Sequence, residues 1–192
     1  TRGKNAYKKI ISDFEESRTN ILVGTQMIAK GLDFDNVGLV AVLNADSMLS
    51  FSDFRAHERA FQLMTQVAGR AGRKGTQGRV FIQTYNVKNP IFELLKKNDY
   101  KRFINKEIKE RKIFNYPPYT RLIKITIKHK KQQRLDFAAE ILVVLLRNSF
   151  GDRVLGPEYP IVSRIRNFYY KNILIKIEGR SSVLQAKGIV ET

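Results

Sequence analysis

Residues Gln66-Val67-Ala68-Gly69-Arg70-Ala71-Gly72-Arg73 carry two arginines three positions apart, each directly after a glycine, and Lys74-Gly75-Thr76-Gln77-Gly78 follows. Glycine has no Cβ to hold a ligand away from the backbone. The arginine guanidinium is a planar fork of donors that matches phosphate oxygens. In a helical or turn-like segment, a spacing of three sets both guanidinium groups on one side. The chemistry implied is recognition of a phosphate. The plain alternative is a solvated basic loop between a helix and a strand. A second stretch weighs against that alternative: Gly24-Thr25-Gln26-Met27-Ile28-Ala29-Lys30-Gly31-Leu32-Asp33-Phe34, which follows the apolar run Ile21-Leu22-Val23.

These residues need elements to position them. Tyr7, Ile10, Ile11 and Phe14 have the spacing of one helix face. Ile21-Leu22-Val23 reads as a short strand buried on both faces of a parallel sheet. Gly24-Thr25 then lies at its carboxyl end, where open α/β sheets bind ligands. Val37 to Leu43 reads as a second parallel strand, closed at the same edge by Asn44-Ala45-Asp46. Ser52 is expected to cap the next helix with Asp53 in its first turn. Phe54, Phe61 and Met64 form its inner face, and the helix delivers Gln66 to Arg73. Arg79 to Tyr85 alternates as a strand. Asn89-Pro90 opens another helix, with Ile91, Leu94 and Leu95 as its buried stripe. A helical stretch from Tyr100 to Lys112 groups Phe103, Ile104 and Ile108. Its other side carries Lys101, Arg102, Lys106, Lys109, Arg111 and Lys112, suited to solvent or to DNA.

Tyr116-Pro117-Pro118-Tyr119 ends that helix, because each proline disfavours the α region for the residue before it. A domain boundary is expected there, giving domains over residues 1–114 and 115–192. In the second, Ile123, Ile125 and Ile127 alternate with Lys124, Thr126 and Lys128, a strand with one buried face. Leu135, Ala138, Ile141, Leu142, Leu145 and Leu146 read as a helix stripe, and Gly156-Pro157 as a turn. Ile161 to Ile165 and Ile173 to Ile177 read as paired strands around Asn167, and a short helix is expected after Ser181-Ser182. The resulting β-α-β-β-α order fits a small α+β domain that lacks a closing strand and is expected to be truncated. Around the Asn167 turn, Arg164, Arg166, Phe168, Tyr169, Tyr170 and Lys171 mix cations with aromatic rings. Such a mixture can hold backbone phosphate while bases stack, although strand alternation must send half of the rings to the core.

The formal net charge is +17 with a pI near 10.1, which favours a polyanionic partner, nucleic acid first. The 43% apolar content supports a real core. No cysteine is present, so this chain holds no disulfide and no thiolate metal site; this fits a cytoplasmic location. No apolar run is long enough to span a bilayer. His57 and His129 stand without ligand partners at metal spacing, and no metal site is expected. The sequence begins in mid-pattern, without Met, and reads as a piece of a longer protein.

Taken together, Gly24–Asp33 and Gln66–Arg73 resemble the fifth and sixth signature motifs of superfamily 2 helicases. The latter matches Gln-x-x-Gly-Arg-x-x-Arg at every fixed position. Asp46 to Arg59 and Tyr116–Tyr119 make the resemblance closer, to the replication-restart helicases of that superfamily, from the middle of the second lobe into the C-terminal domain. The resemblance implies a partial RecA-like lobe, a parallel sheet with flanking helices, followed by a small α+β DNA-binding domain. It implies that Arg70 and Arg73 stabilise charge on a transferring γ-phosphoryl group and that Gln66, Gly69, Gly31 and Asp33 meet nucleotide. Thr25 and Lys30 would contact DNA, as would Arg164, Arg166, Tyr169 and Lys171. For Asp46, Asp53, Arg55 and Glu58 it supplies no mechanism; Arg55 and Glu58 could simply pair on a helix.

The resemblance also implies an ATP-dependent 3′-to-5′ DNA helicase acting at stalled forks, with branched and single-stranded DNA and other primosome proteins as partners and no membrane. ATP and magnesium would be held mainly by a first lobe, because no Gly-x-x-x-x-Gly-Lys-[Ser/Thr] loop and no Asp-Glu-x-His occur here. Zinc is expected in the parent but not in this piece. The chain alone is therefore expected neither to hydrolyse ATP efficiently nor to unwind DNA. Two rival readings stay open: another superfamily 2 translocase, and a non-enzymatic basic nucleic-acid-binding module.

Overall fold

Strands β1 (Leu39–Val42) and β2 (Arg79–Ile82) pair in parallel, Leu39 opposite Arg79 and Val42 opposite Ile82. Parallel neighbours need a crossover, and the chain between them supplies α2 (Ala45–Leu49) and α3 (Ala56–Ala68). The computed structural model describes residues 4–25, 34, 37–72, 78–178 and 183–191. The chain divides into two compact units, Thr1–Glu107 and Ile108–Thr192. The division falls within a helix, ahead of the boundary expected at 114.

The first unit also contains α1 (Lys4–Glu15), α4 (Pro90–Lys96) and the start of α5 (Tyr100–Ile113). Its core joins Ala45 of α2, Ala60, Phe61 and Met64 of α3, Ile91 and Phe92 of α4, and Phe103 of α5. Phe61 stacks on Phe103 with ring centroids 4.3 Å apart. Asn89 caps α4 as its sequence requires: its side chain accepts from the Ile91 amide at 3.1 Å, and Pro90 occupies the first turn. Phe92 joins the buried stripe beside Ile91, a position the periodicity did not single out.

Two expectations for this unit are corrected. Ile21–Val23 forms no strand, and Ile21 and Val23 are 80% and 83% exposed. An apolar run permits burial, but a parallel strand needs a partner, and no described strand pairs with this one. The strand read over Val37 to Leu43 is present as β1, with Leu39 exposed, as is Phe81 of β2. Finally, α3 starts at Ala56, three residues later than a Ser52 cap would set, with Arg55 at the N-cap. Asp53 makes the turn instead: its Oδ1 accepts from the Arg55 amide at 2.8 Å and its Oδ2 lies 3.0 Å from Arg59 Nη1. Phe54 consequently sits ahead of the helix, with the Arg55 guanidinium over its ring.

The second unit runs β3 (Thr120–His129), α6 (Gln132–Phe150), a single 3-10 turn at Gly151–Arg153, β4 (Val154–Glu158), β5 (Arg164–Ile165), β6 (Phe168–Glu178) and α7 (Val183–Glu191). The antiparallel sheet has the order β3-β6-β4, with β5 also on β6. Ile123 pairs with Ile175 and Ile125 with Ile173. With Ile177 and Val154 they meet Val143, Leu146 and Phe150 of α6, and Ala186 of α7 joins the same core. The alternation read in β3 thus holds.

The stripe expected on α6 is corrected. The buried positions are Leu135, Ala139, Val143, Leu146 and Phe150, while Ile141 and Leu145 are exposed. The helix is apolar on most sides, so its own period could not choose the face; the sheet chose it. Gly156-Pro157 is likewise not a terminal turn but a bulge inside β4. Gly156 has φ +99°, and a Cβ there would lie 2.9 Å from the Asn172 carbonyl oxygen. Of Ile161 to Ile165, only Arg164 and Ile165 pair. Arg166 and Asn167 form the two-residue turn with φ 47° and 65°, the doubly left-handed geometry that suits a tight hairpin.

Candidate nucleotide and nucleic-acid surfaces

Helix α3 ends at Gly69, whose amide donates to the Thr65 carbonyl at 3.0 Å. The chain then tightens, Arg70 N donating to Val67 O at 3.1 Å and Ala71 N to Ala68 O at 3.2 Å, so the first arginine continues the helix surface. Gln66 and Gly69 are exposed and Arg70 is half-buried. Gly72 turns away with φ 77°, and its amide donates to Val37 O at 3.1 Å. Arg79 N donates to Gly38 O at 2.9 Å. The motif is therefore anchored through Gly72 to the segment that opens β1, and the start of β2 is bonded to that same segment.

The glycines here have different reasons. Gly72 needs its left-handed φ. Gly78 is closed in, since a Cβ there would overlap the Gly72 amide and the Ala71 backbone. Gly69 has helical angles, and a Cβ would meet only Thr65 O and Gln66 O at ordinary distances of 3.6 and 3.7 Å. The fold does not demand glycine at 69. Because this turn is the carbonyl end of a helix, its dipole repels anions and attracts cations. A phosphate bound here would depend on the guanidinium groups, not on helix amides.

The Asp46–Arg59 segment acquires a physical account. Asp46 Oδ1 accepts from Thr84 Oγ1 and its Oδ2 from the Tyr85 amide, both at 2.9 Å. The Tyr85 amide first, and the Thr84 hydroxyl with it, hold the Asp46 carboxyl below its ordinary range. Asn44, in the left-handed region, caps α2 by accepting from the Ser47 amide, and its own amide donates to Gln83 Oε1. These bonds lace α2 to the carboxyl edge of the two strands. Between α2 and α3 lies an open groove of about 630 Å³ lined by Met48, Phe51, Arg59, Leu63 and Gln66 among others. Glu58 accepts from Gln62 Nε2 at 3.3 Å, and His57 Nδ1 lies 3.6 Å from the buried Glu107 carboxylate.

Of the expected site residues, Thr25 is exposed coil. Lys30, Gly31, Asp33 and Arg73 lie outside the described residues, so only Gln66, Gly69 and Arg70 are brought together here.

In the second unit, Arg164 and Tyr169 sit opposite each other across the hairpin, with the guanidinium 5.1 Å from the ring centroid and donating to Asn167 Oδ1 at 3.1 Å. Arg166 is exposed at the turn. Lys171 is corrected as a DNA contact. It is only 7% exposed, its ammonium lies 2.9 Å from Asp136 Oδ1, and the Tyr159 ring stands 4.9 Å away. Its place in β6 turns it toward α6, where its charge is already answered. The residues that sequence reasoning passed over are Lys128 and Lys130, whose ammoniums lie 5.3 and 5.7 Å from the Phe168 ring. The alternation that turns Ile123, Ile125 and Ile127 toward the core side, each partly buried, was the signal for the other face.

Residues 2–75 match the family described as helicase conserved C-terminal domain. The class defined by the crossover and its arginine turn is thus that of a helicase C-terminal domain, here followed by a second unit. Residues 112–188 match the family described as primosomal protein N C-terminal domain. The chain belongs to the family of the replication restart protein PriA. It is 43% identical over 185 residues to that protein from Bacillus subtilis (strain 168), covering 95% of this chain and 23% of the relative. Against the Synechocystis protein it is 38% identical over 178 residues, covering 92% and 21%. Against that of Thermotoga maritima it is 36% identical over 165 residues, covering 86% and 22%. The chain spans less than a quarter of the length of these relatives. Among the described residues no helix is long and apolar enough to cross a membrane.

Proposed function

We propose that this chain is the later part of a RecA-like second helicase lobe joined to a DNA-binding domain, within a cytoplasmic ATP-dependent 3′-to-5′ DNA helicase that restarts stalled replication forks and loads the primosome. The observation that carries the reading is the turn after α3, where Gln66 and Gly69 are exposed beside the half-buried Arg70 and Gly72 is bonded to the segment that opens β1. Arg70 and Arg73 face the γ-phosphate of ATP, with Gln66, Gly69, Gly31 and Asp33 around the nucleotide. Thr25 and Lys30 meet the DNA backbone, and Arg164, Arg166 and Tyr169 meet DNA at the hairpin.

The residues of the turn suit an anion and not its counter-ion. No Asp or Glu occurs from Gln66 to Gly78, so magnesium, with most of the ATP contacts, belongs to a first lobe outside this sequence. Zinc belongs to the parent protein and not to this chain, which has no cysteine to hold it. Arginines at this place supply charge as the phosphoryl group transfers, and coupling of lobe closure to a DNA strand gives movement. Branched and single-stranded DNA and other primosome proteins are the partners in this reading.

The test uses the full-length protein with Arg70→Ala and Arg73→Ala made separately. DNA-stimulated ATP turnover falls on the order of a thousandfold or more while DNA affinity holds. Unchanged turnover would return Gln66–Arg73 to a basic loop and put the non-enzymatic binding module in its place.

A further inference from the structure

The sheet of the second unit has two unlike faces. Ile123, Ile125, Ile127, Ile173, Ile175 and Ile177 occupy one set of alternating positions, and the core with α6 lies on that side. The other set places Lys124, Thr126 and Lys128 of β3 opposite Leu174, Asn172 and Tyr170 of β6, with Phe168 one step further. At the Phe168 end Lys124, Lys128 and Lys130 are exposed, and Phe168 and Tyr170 keep part of their surface accessible. At the opposite end, Lys176 is engaged by the Phe114 carbonyl at 2.6 Å and the Tyr116 ring at 4.1 Å. The acidic groups on this face, Glu158 opposite Asn172 and Glu178 opposite Thr120, lie at its margins, and Glu178 pairs with Arg153 at 3.5 Å.

We infer that the open end of this sheet, Phe168 and Tyr170 with Lys124, Lys128 and Lys130, is a stacking platform for single-stranded DNA. It is distinct from the Arg164–Tyr169 pair on the helix-side face. A base has a π-face that stacks on an aromatic ring whatever its identity, and flanking cations hold the phosphates on either side. Here two ammoniums lie 5.3 and 5.7 Å from one ring, and Lys124 and Lys128 extend along the strand on one face, as side chains separated by an even number of residues do. An apolar partner would find this end too charged; an acidic protein would satisfy the lysines but leave the rings unused. The inference rests on the nucleic-acid part of the proposed function and not on its ATP chemistry.

The chain contains no tryptophan, so Phe168→Trp introduces a single indole fluorophore at the platform. The 192-residue chain is titrated with a labelled oligothymidylate by anisotropy, and the Phe168→Trp variant is also followed by its indole emission. Phe168→Ala binds roughly 5- to 150-fold more weakly, the loss carried by one base–ring stack, while Phe168→Trp retains affinity and its emission is quenched. Lys128→Gln and Lys130→Gln each reduce the slope of log affinity against log salt by about 0.7. Full affinity in Phe168→Ala, together with weakening in Arg164→Gln or Arg166→Gln, would overturn the platform while keeping DNA at the hairpin. Equal quenching by polyglutamate would overturn it in favour of an acidic protein. Absence of any oligothymidylate binding would overturn it outright, whereas the ATP turnover of the arginine variants tests the helicase reading separately.

Discussion

The Lys171 ammonium and Asp136 Oδ1, 2.9 Å apart, tie the middle of β6 to the first turns of α6. The Tyr159 hydroxyl donates to the same carboxylate oxygen, and Gln132 donates to that hydroxyl at 3.1 Å. One carboxylate therefore fixes a strand, a helix and the loop between β4 and β5. The Tyr159 hydroxyl first, then Lys171, hold the Asp136 carboxyl below its ordinary value of 3.8. A carboxyl lowered in the folded state adds stability that is complete above its unfolded value and is lost as pH falls through the folded one. Thermal unfolding measured between about pH 7 and pH 3 is expected to show Asp136→Asn less stable than the parent at the upper end, the gap narrowing at the acid end. A pH-independent gap would mean that the pair contributes by shape and not by charge.

Gly69 and Gly72 separate access from backbone strain. Alanine at 72 must adopt φ near 77°, which costs an L-residue about 1–2 kcal/mol. At 69 the angles are helical and the space is open, so the fold changes by no more than roughly 0.5 kcal/mol. Denaturant titration of the chain should show a lowered midpoint for Gly72→Ala and an almost unchanged one for Gly69→Ala. In the full-length protein Gly69→Ala is nonetheless expected to weaken nucleotide-dependent turnover if, as proposed, nucleotide approaches the backbone at this residue. Unchanged turnover in Gly69→Ala would remove that residue from the nucleotide surface.

What the sequence made legible is what neighbouring residues decide. Asn89-Pro90 starts a helix through its own amide geometry, Asn167 turns a hairpin because it tolerates positive φ, and the alternation of β3 names its own buried face. The position of Gln66–Gly72 at the end of a helix followed from the same kind of pattern. What could not be read depends on distant partners. Ile21–Val23 has the composition of a buried strand but no neighbour among the described strands. Helix α6 offers several apolar faces, and only the sheet selects one. Lys171 looks like a surface cation until β6 turns it toward Asp136, and Asp46 looks like a motif residue until Thr84 and Tyr85 arrive from the end of β2.

Asp46 gives a prediction for the first unit. Its two oxygens accept separately from Thr84 and from the Tyr85 amide, and an amide side chain in its place has only one carbonyl oxygen to offer. Asp46→Asn is expected to loosen the link between α2 and the end of β2, with faster hydrogen exchange at the Tyr85 amide as the direct sign. Because the Asp46 carboxyl is also held below 3.8, its contribution fades as pH falls through that lowered value, and the exchange difference should fade with it. Protection at Tyr85 equal in both proteins at neutral pH would show the contact to be incidental.

The final prediction concerns the chain by itself. Its arginine turn lies at the carbonyl end of α3, where the helix dipole opposes an anion, and residues Gln66 to Gly78 contain no carboxylate to bring magnesium. Guanidinium groups in such a place can stabilise charge that another surface has already positioned; they do not create a nucleotide site. The purified 192-residue chain is therefore expected to show no ATP hydrolysis above background with or without single-stranded DNA, although its charge of +17 lets it bind DNA with a steep salt dependence. Addition of a separately expressed segment carrying a phosphate-binding loop should restore DNA-stimulated turnover, and Arg70→Ala in the added chain should abolish that restoration. DNA-stimulated turnover by the chain alone, surviving Arg70→Ala, would mean that the division of labour between two lobes is wrong.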